Sequence, residues 1–323
     1  MLKRTLFASL FIGTTLFLQS CGGGGGGGPL QTKIYVAANG GFSYSNNSGV
    51  NWINKTDANG LGNNFVFGVA INGNTVYAAT AGGVSISTDG GSTWTNKTTA
   101  NGLGNNQVLG VAVNGSNVYA ATIGGISISA DGGTTWTNKT TVNGLGDNST
   151  RGVAVSGSTV LAATAGGVSM STNGGTTWTN RTTADGLGNN DVKCVSIGTF
   201  LYAGRTTGLS ISTNGGLSYL NKTTASGLGD NNVNAVLVDG TTVYAGTNGG
   251  FSISTDSGGT FINKTTAAGL GNNAIFGIAI KGTDIYAATA GGLSMSTDGG
   301  VTWTNQTVLD GMVSNAQRGV AVN

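Results

Sequence analysis

One octet, Ser-Thr-Asp-Gly-Gly-Ser-Thr-Trp at residues 87–94, returns with variations seven times along a chain of 323 residues. The copies start at Ser45, Ser87, Ser129, Ser171, Ser212, Ser254 and Ser296, in steps of 42, 42, 42, 41, 42 and 42. A period held so tightly describes a chain of like units, each too small to bury its own apolar face and obliged to stack on its neighbours.

The octet itself is a tight turn between two strands. Asp or Asn at its third position can hydrogen-bond the backbone two residues on, and the Gly that follows tolerates positive φ. The aromatic that closes it has a large apolar area to bury. All five tryptophans (Trp52, Trp94, Trp136, Trp178 and Trp303) stand at that closing place, with Tyr219 and Phe261 in the other two copies. Such regular use of Trp is architectural.

Residues 65–99 typify the rest of the unit. Phe65 to Ile71 is short and apolar, Asn72-Gly73-Asn74 punctuates it, Val76 to Thr80 follows, Ala81-Gly82-Gly83 turns the chain, and Val84 to Ser87 leads into the octet. A fourth run starts around Trp94, and nothing carries a sustained helical period. Four short strands in about 42 residues are the pattern of a β-propeller blade.

Ser-x-Asp-x-Gly-x-Thr-Trp is the Asp-box, and the chain closely resembles the Asp-box (BNR) repeat β-propellers, which include sialidases, sortilin-type receptors and non-enzymatic assembly factors. The Asp-box position is held by Asn47, Asp89, Asp131, Asn173, Asn214, Asp256 and Asp298; Asn keeps the turn-capping oxygen but weakens a metal-binding reading. Each repeat ends in a loop such as Asn101-Gly102-Leu103-Gly104, which resembles the inter-blade segment of sensor propellers in two-component regulators. It leads into a strand, so it is no phosphate cradle, and its Leu is expected to plug between blades.

The first repeat begins at its second strand, Lys33 to Ala38, and the chain finishes with an orphan first strand, Arg318 to Val322. The expected fold is therefore all-β: a seven-bladed propeller of four-stranded antiparallel blades over residues 30–323, closed by the C-terminal strand joining the N-terminal three. Closure removes edges that would otherwise invite aggregation.

Ahead of the repeats, Lys3 and Arg4 precede an apolar run, Leu6 to Leu18, and Leu18-Gln19-Ser20-Cys21 resembles a bacterial lipobox. The expectation is a lipoprotein signal peptide over residues 1–20, lipidation at Cys21, and a Gly-rich tether over residues 21–29. A plain signal peptide with an incidental cysteine is the simpler alternative. Gly22 after Cys21 implies, by resemblance, an outer-membrane destination, facing either side.

Without residues 1–20 the chain carries 12 basic residues against 12 Asp. A neutral chain argues against nucleic acid as a partner and leaves membrane attachment to the lipid. Charged residues make up 8% where about 25% is usual, so Asn, Thr, Ser and Gly must cover the surface. Cys194 has no partner in the mature chain, which excludes a disulfide and a thiolate cluster; it reads as a small strand residue where copies such as Gly68, Gly110, Gly152 and Gly277 carry Gly. The Asn-Lys-Thr copies match the N-glycosylation pattern, but their Lys has a simpler use in discouraging pairing at an outer strand.

There is no His and no Glu anywhere. A His-based triad, a histidine metal site and a Glu general acid are excluded. Sialidases of the resembling family are expected to need a Tyr–Glu pair, three Arg and an Arg-Ile-Pro motif, and the lone proline here is Pro29. Two Asp across a glycosidic bond would suffice in principle. Yet Asp147, Asp185, Asp191 and Asp230 sit in or near inter-blade loops, where Asp is a common turn cap, and no pair stands out. No catalytic residue, metal or cofactor is expected.

In so repetitive a chain, the places where copies disagree are informative. The residue ahead of the small one in each first strand runs Phe67, Leu109, Arg151, Lys193, Asn234, Phe276 and Arg318. These are expected around the mouth of the central channel. Arg205 replaces the Thr of five other copies and is expected beside Arg151 and Lys193 in one basic patch, with Arg318 across the mouth and Phe67 and Phe276 as apolar neighbours. The reading is a monomeric, lipid-anchored binding or scaffold module that recognises a glycan or protein partner there. The alternatives are an Asp-only carbohydrate hydrolase and a passive structural surface lipoprotein; for the charges themselves the alternative is repeat drift.

Overall fold

A computed structural model describes residues 31–323, so the expected signal peptide, Cys21 and the tether lie outside the described residues. Gln31–Asn323 forms one unit of seven four-stranded antiparallel sheets. Blade one pairs Gln317–Val322 with Ile34–Ala38, followed by Gly41–Ser45 and Ile53–Lys55, so the two ends of the chain close the ring within a single sheet. Blade two runs Val66–Asn72, Thr75–Thr80, Gly83–Ser87 and Thr95–Lys97, and blades three to seven repeat it.

Burial explains the shape of each blade. The second and third strands are buried along almost their whole length, because both faces of a blade are covered by its neighbours. The outermost strands are only three residues long and mostly exposed or half-buried, which leaves little edge for another chain to pair with. The apolar core is therefore a set of inter-blade layers. Leu103 packs with Tyr77, Val84 and Ile86 of blade two and with Val108 and Trp136 of blade three. Leu61, Leu145, Leu187, Leu228 and Leu270 are buried in the same way, with Met312 as the seventh plug. Each such side chain contributes about 2 kcal/mol by leaving water.

The octet folds as its residues dictate. Asp89 Oδ1 accepts from the Ser92 and Thr93 amides at 3.0 and 2.9 Å, and Ser87 Oγ accepts from the Gly91 amide at 2.8 Å. Gly90 and Gly91 have φ of 72° and 97°, which the turn requires and L side chains resist. The segments expected to be plain loops each contain a 3₁₀ turn, as at Thr99–Asn101, started by Thr98 and ended by Gly102. Thr98 and Asn101 cap one another there, a short-range signal that apolar periodicity does not register.

The Asn of each Asn-Lys-Thr copy is used internally. Asn96 Nδ2 donates to the Gly82 carbonyl at 2.8 Å and its Oδ1 accepts from Ser85 Oγ at 3.1 Å. Ser85 Oγ in turn accepts from the Gly62 amide at 2.9 Å, so these side chains fasten the inter-blade loop to its blade.

Candidate functional site

The inner strands converge on a central cavity of about 350 Å³. They approach closely at one level because their residues there are small: a Cβ on Gly277 would lie 2.7 Å from Gly319 Cα. Cys194 stands at the same level and borders the cavity, but its thiol packs into the seam between blades five and six, 4.0 Å from the Val233 carbonyl, and burial there pushes it up to about 12. The residues one step before this level are all half-buried, and all seven line the cavity. They lie at the end of the blades where the inter-blade loops pack against the hairpins of the second and third strands.

Around that opening, side chains reach from one blade to the next. Arg151 of blade four is hydrogen-bonded and ion-paired to Asp191, just ahead of the inner strand of blade five. Lys193 of blade five donates to Asn232 and, at 3.3 Å, to Asn234 of blade six. Asn234 Nδ2 donates to the Ile275 carbonyl of blade seven at 3.2 Å and to Asn248 Oδ1 at 2.8 Å. Arg318 of blade one lies over the Phe276 ring of blade seven, 5.0 Å from its centroid, and its Nε donates to Asn39 Oδ1 at 3.1 Å. Burial lowers the pKa of Lys193, with nearby Arg151 adding in the same direction.

Arg205 is not part of this opening. Its side chain is fully buried and absent from the cavity wall. The second strand places it at the end of Leu201–Arg205, paired with Val192 and Gly208, under the inter-blade loop at Gly188. In blade two the corresponding Thr80 Oγ1 donates to the Gly83 carbonyl at 2.9 Å and accepts from the Gly82 amide at 3.1 Å. Arg205 instead donates from Nη2 to Asn221 Oδ1 at 2.8 Å, while its Nε has no partner. Burial depresses its pKa to about 10. The sequence comparison put it on the correct blade and the wrong side of the strand's end; the Thr it replaces is an internal, hydrogen-bonding position.

The remaining loop carboxylates serve turns. Asp147 Oδ1 and Asp230 Oδ1 accept the Ser149 and Asn232 amides at 2.7 and 2.6 Å, and Asp185 caps Thr182 beside Arg181. Among the described residues, no three His, Cys, Asp or Glu gather as metal ligands, and no helix is long and apolar enough to cross a membrane.

A family model described as the DUF6242 beta propeller domain matches residues 59–199, a stretch that holds blades two, three and four whole. No curated protein matches. Among solved structures, the chain is similar to the extracellular domain of BT3049, a hybrid two component system of B. thetaiotaomicron. The TM-score is 0.67 at 17% identity, over 82% of this chain but only 38% of that one. It is also similar to YCF48 bound to D1 peptide, with a TM-score of 0.56 at 16% identity over 80% and 92% of the two chains. YCF48 from Cyanidioschyzon merolae gives 0.54 at 17% over 76% and 85%. At these identities the likeness is one of fold: the chain is a β-propeller similar to sensor ectodomains and to YCF48.

Proposed function

We propose that this propeller is a non-enzymatic binding module, held outside the cytoplasm by a lipid on Cys21, whose central mouth receives an acidic segment of a partner protein. One observation carries the reading. The inner-strand ring is a register at which a highly repetitive chain changes from copy to copy, and among the described residues its departures gather two cations free of carboxylate partners, Lys193 and Arg318, with the Phe67 and Phe276 rings at one cavity. A concave, largely pre-formed site with a few placed polar groups is the usual form of a recognition site. The likeness to YCF48, solved with a D1 peptide, supports a peptide segment over a glycan, and the likeness to an extracellular sensor domain supports the location.

The test is titration of residues 30–323 with short acidic peptides and with uronic oligosaccharides, beside the variant R151A/K193A/R318A. Peptide binding that falls about tenfold or more in the variant, at unchanged melting temperature, supports the reading. Binding that survives the variant sinks it. A preference for the oligosaccharides moves the ligand class to glycans, and release of a cleaved product moves the protein to the hydrolases.

A further inference from the structure

The perimeter carries a second pattern that the mouth does not explain. Each outermost strand and the octet ahead of it put three alternate residues on one face of an extended chain. In blade two these are Thr93, Thr95 and Lys97; in blade three, Thr135, Thr137 and Lys139; in blade four, Thr177, Thr179 and Arg181. The other blades break the set. The middle residue is Ile53, Leu220 or Ile262 in blades one, five and six, and the cation is Gln306 in blade seven. Two hydroxyls and a cation thus persist in three consecutive blades and in no others.

In each of those blades the set lines a notch closed on its other side by the octet of the following blade. The three notches have volumes of about 200, 360 and 220 Å³. Their floors are alike, formed by Ile86, Ile128 and Met170. The polar groups are only partly engaged. Lys97 and Lys139 make no ion pair among the described residues. Thr95, Thr137 and Thr179 are exposed. Arg181 reaches Asp185 at 3.4 Å through Nη1, while its Nε is buried without a partner. Of the equivalents elsewhere, Lys222 donates to the Gly259 carbonyl at 3.0 Å and Gln306 accepts the Trp52 indole N–H at 3.2 Å, while Lys55 and Lys264, which make no ion pair among the described residues, stand beside Ile53 and Ile262 in place of the middle Thr.

We infer that the rim of blades two to four is a polysaccharide-binding site, in which three equivalent notches take successive units of an acidic, hydroxyl-rich glycan. Hydroxyls of the sugar meet the Thr pairs, and one carboxylate per repeat meets each cation. A single cation per blade suits a sparsely charged chain, since packed sheets stand about 10 Å apart. One notch is shallow and binds weakly; three on one rigid body raise the affinity of a long chain through effective concentration. Asp131, whose carboxylate also borders the middle notch, spends both its oxygens on the Thr134 and Thr135 groups of its own turn.

The experiment is calorimetric titration of residues 30–323 with hyaluronan, which carries a carboxylate on every second sugar, as polymer, disaccharide and hexasaccharide. Dextran and poly-L-glutamate are the controls. The expected result is affinity per chain rising about tenfold or more from disaccharide to polymer. It should fall by a similar factor in K97Q/K139Q at unchanged melting temperature, and stay the same in R151A/K193A/R318A. Absence of hyaluronan binding overturns the inference, as does length-independent affinity, equal binding of dextran or poly-L-glutamate, indifference to K97Q/K139Q, or loss in the mouth variant alone.

Discussion

Val36, in the first described strand, lies directly opposite Val320, in the last, within one antiparallel ladder. The same ladder matches Ile34 to Val322 and Tyr35 to Ala321, and Lys281 of blade seven fastens the end by donating to the Asn323 carbonyl at 3.0 Å. Deleting residues 317–323 strips blade one of its inner strand and exposes a long sheet edge. Lost burial and ladder bonds together cost about 5 kcal/mol or more, a drop in Tm of about 10 °C or more. Calorimetry decides it; an unchanged melting curve would mean that the ring does not depend on this strand.

Arg205 lowers the stability of the fold it belongs to. Its guanidinium is fully buried with one N–H unmet, where five other blades hold a compact Thr hydroxyl that satisfies its own hairpin. Burial without a carboxylate partner disfavours the charged form. Replacing such a group by one that fits is often stabilising, here by about 1–2 kcal/mol. R205T is expected to raise Tm by roughly 2–6 °C. The sign with pH follows from a pKa lowered to about 10: the penalty is full at neutral pH and is relieved as pH rises through that value. The advantage of the variant should therefore shrink in alkali. A lower Tm for R205T would show that the Asn221 bond outweighs burial.

The contrast between Arg205 and the inner-strand ring shows what repetition makes legible. Repetition was enough for blade number, strand count and the six Leu plugs, and the incomplete repeats at Lys33 to Ala38 and Arg318 to Val322 were enough for closure. The ring residues were legible because they differ from copy to copy at one register. Arg205 differs in the same way, but whether a variable residue faces a cavity or an inter-blade seam depends on which face of the strand its register selects. The Thr it replaces, hydrogen-bonded to its own hairpin in every other blade that has it, held that information. The rim notches were missed for the opposite reason. Their Lys and Thr recur, so they read as ordinary repeat, and only the blades that lack them mark out the three that keep the set.

The Asp and Asn forms of the octet differ in the direction of one hydrogen bond. Thr93 Oγ1 donates to Asp89 Oδ2 at 2.6 Å, whereas Asn173 Nδ2 donates to Thr177 Oγ1 at 2.9 Å. The Thr hydroxyl turns over and both turns stay satisfied. Hydrogen bonds from Thr93, then from its amide and from Ser87, hold the Asp89 carboxyl well below the usual carboxylate range. Thr135 and Thr302 do the same for Asp131 and Asp298, and hydrogen bonds led by that from Ser254 take Asp256 down to about 2. Their contribution is fully present above the unfolded carboxylate pKa of about 4 and is lost as pH falls through the folded values. Tm should decline from pH 4 downward, and the variant D89N/D131N/D256N/D298N should flatten that decline while matching the parent at pH 7. D89A, which removes the acceptors altogether, should lower Tm at both.

Cys194 borders the cavity, yet its thiol lies in the seam between blades five and six and is expected to be inert. With its thiol pushed up to about 12, roughly one molecule in ten thousand carries the thiolate at pH 8, against about one in four for a free cysteine. Alkylation of the folded protein should be slower than that of the denatured chain by about a thousandfold, followed by mass spectrometry. Labelling at the denatured rate would mean that the seam between blades five and six opens readily in the folded protein.

Asp191 sets how much positive charge the mouth presents. It is bonded to Arg151, so of the three cations around the opening only Lys193 and Arg318 are held by neutral groups, Asn232 and Asn234 for one, Asn39 and the Phe276 ring for the other. Asp191 also supports Lys193 electrostatically, though burial and Arg151 still leave that lysine with a lowered pKa. D191N releases the Arg151 guanidinium without changing the size of the side chain. For an acidic peptide the variant should bind several-fold tighter, mainly through a faster on-rate, and with a steeper fall as salt is added. In the parent, binding should weaken as pH rises, starting below the range of an ordinary lysine, because the Lys193 ammonium loses its proton early; K193R should remove that early loss. Stopped-flow association across salt and pH separates these effects. A D191N variant that binds acidic peptides no faster than the parent, with the same salt slope, would show that the Arg151 charge does not reach the ligand.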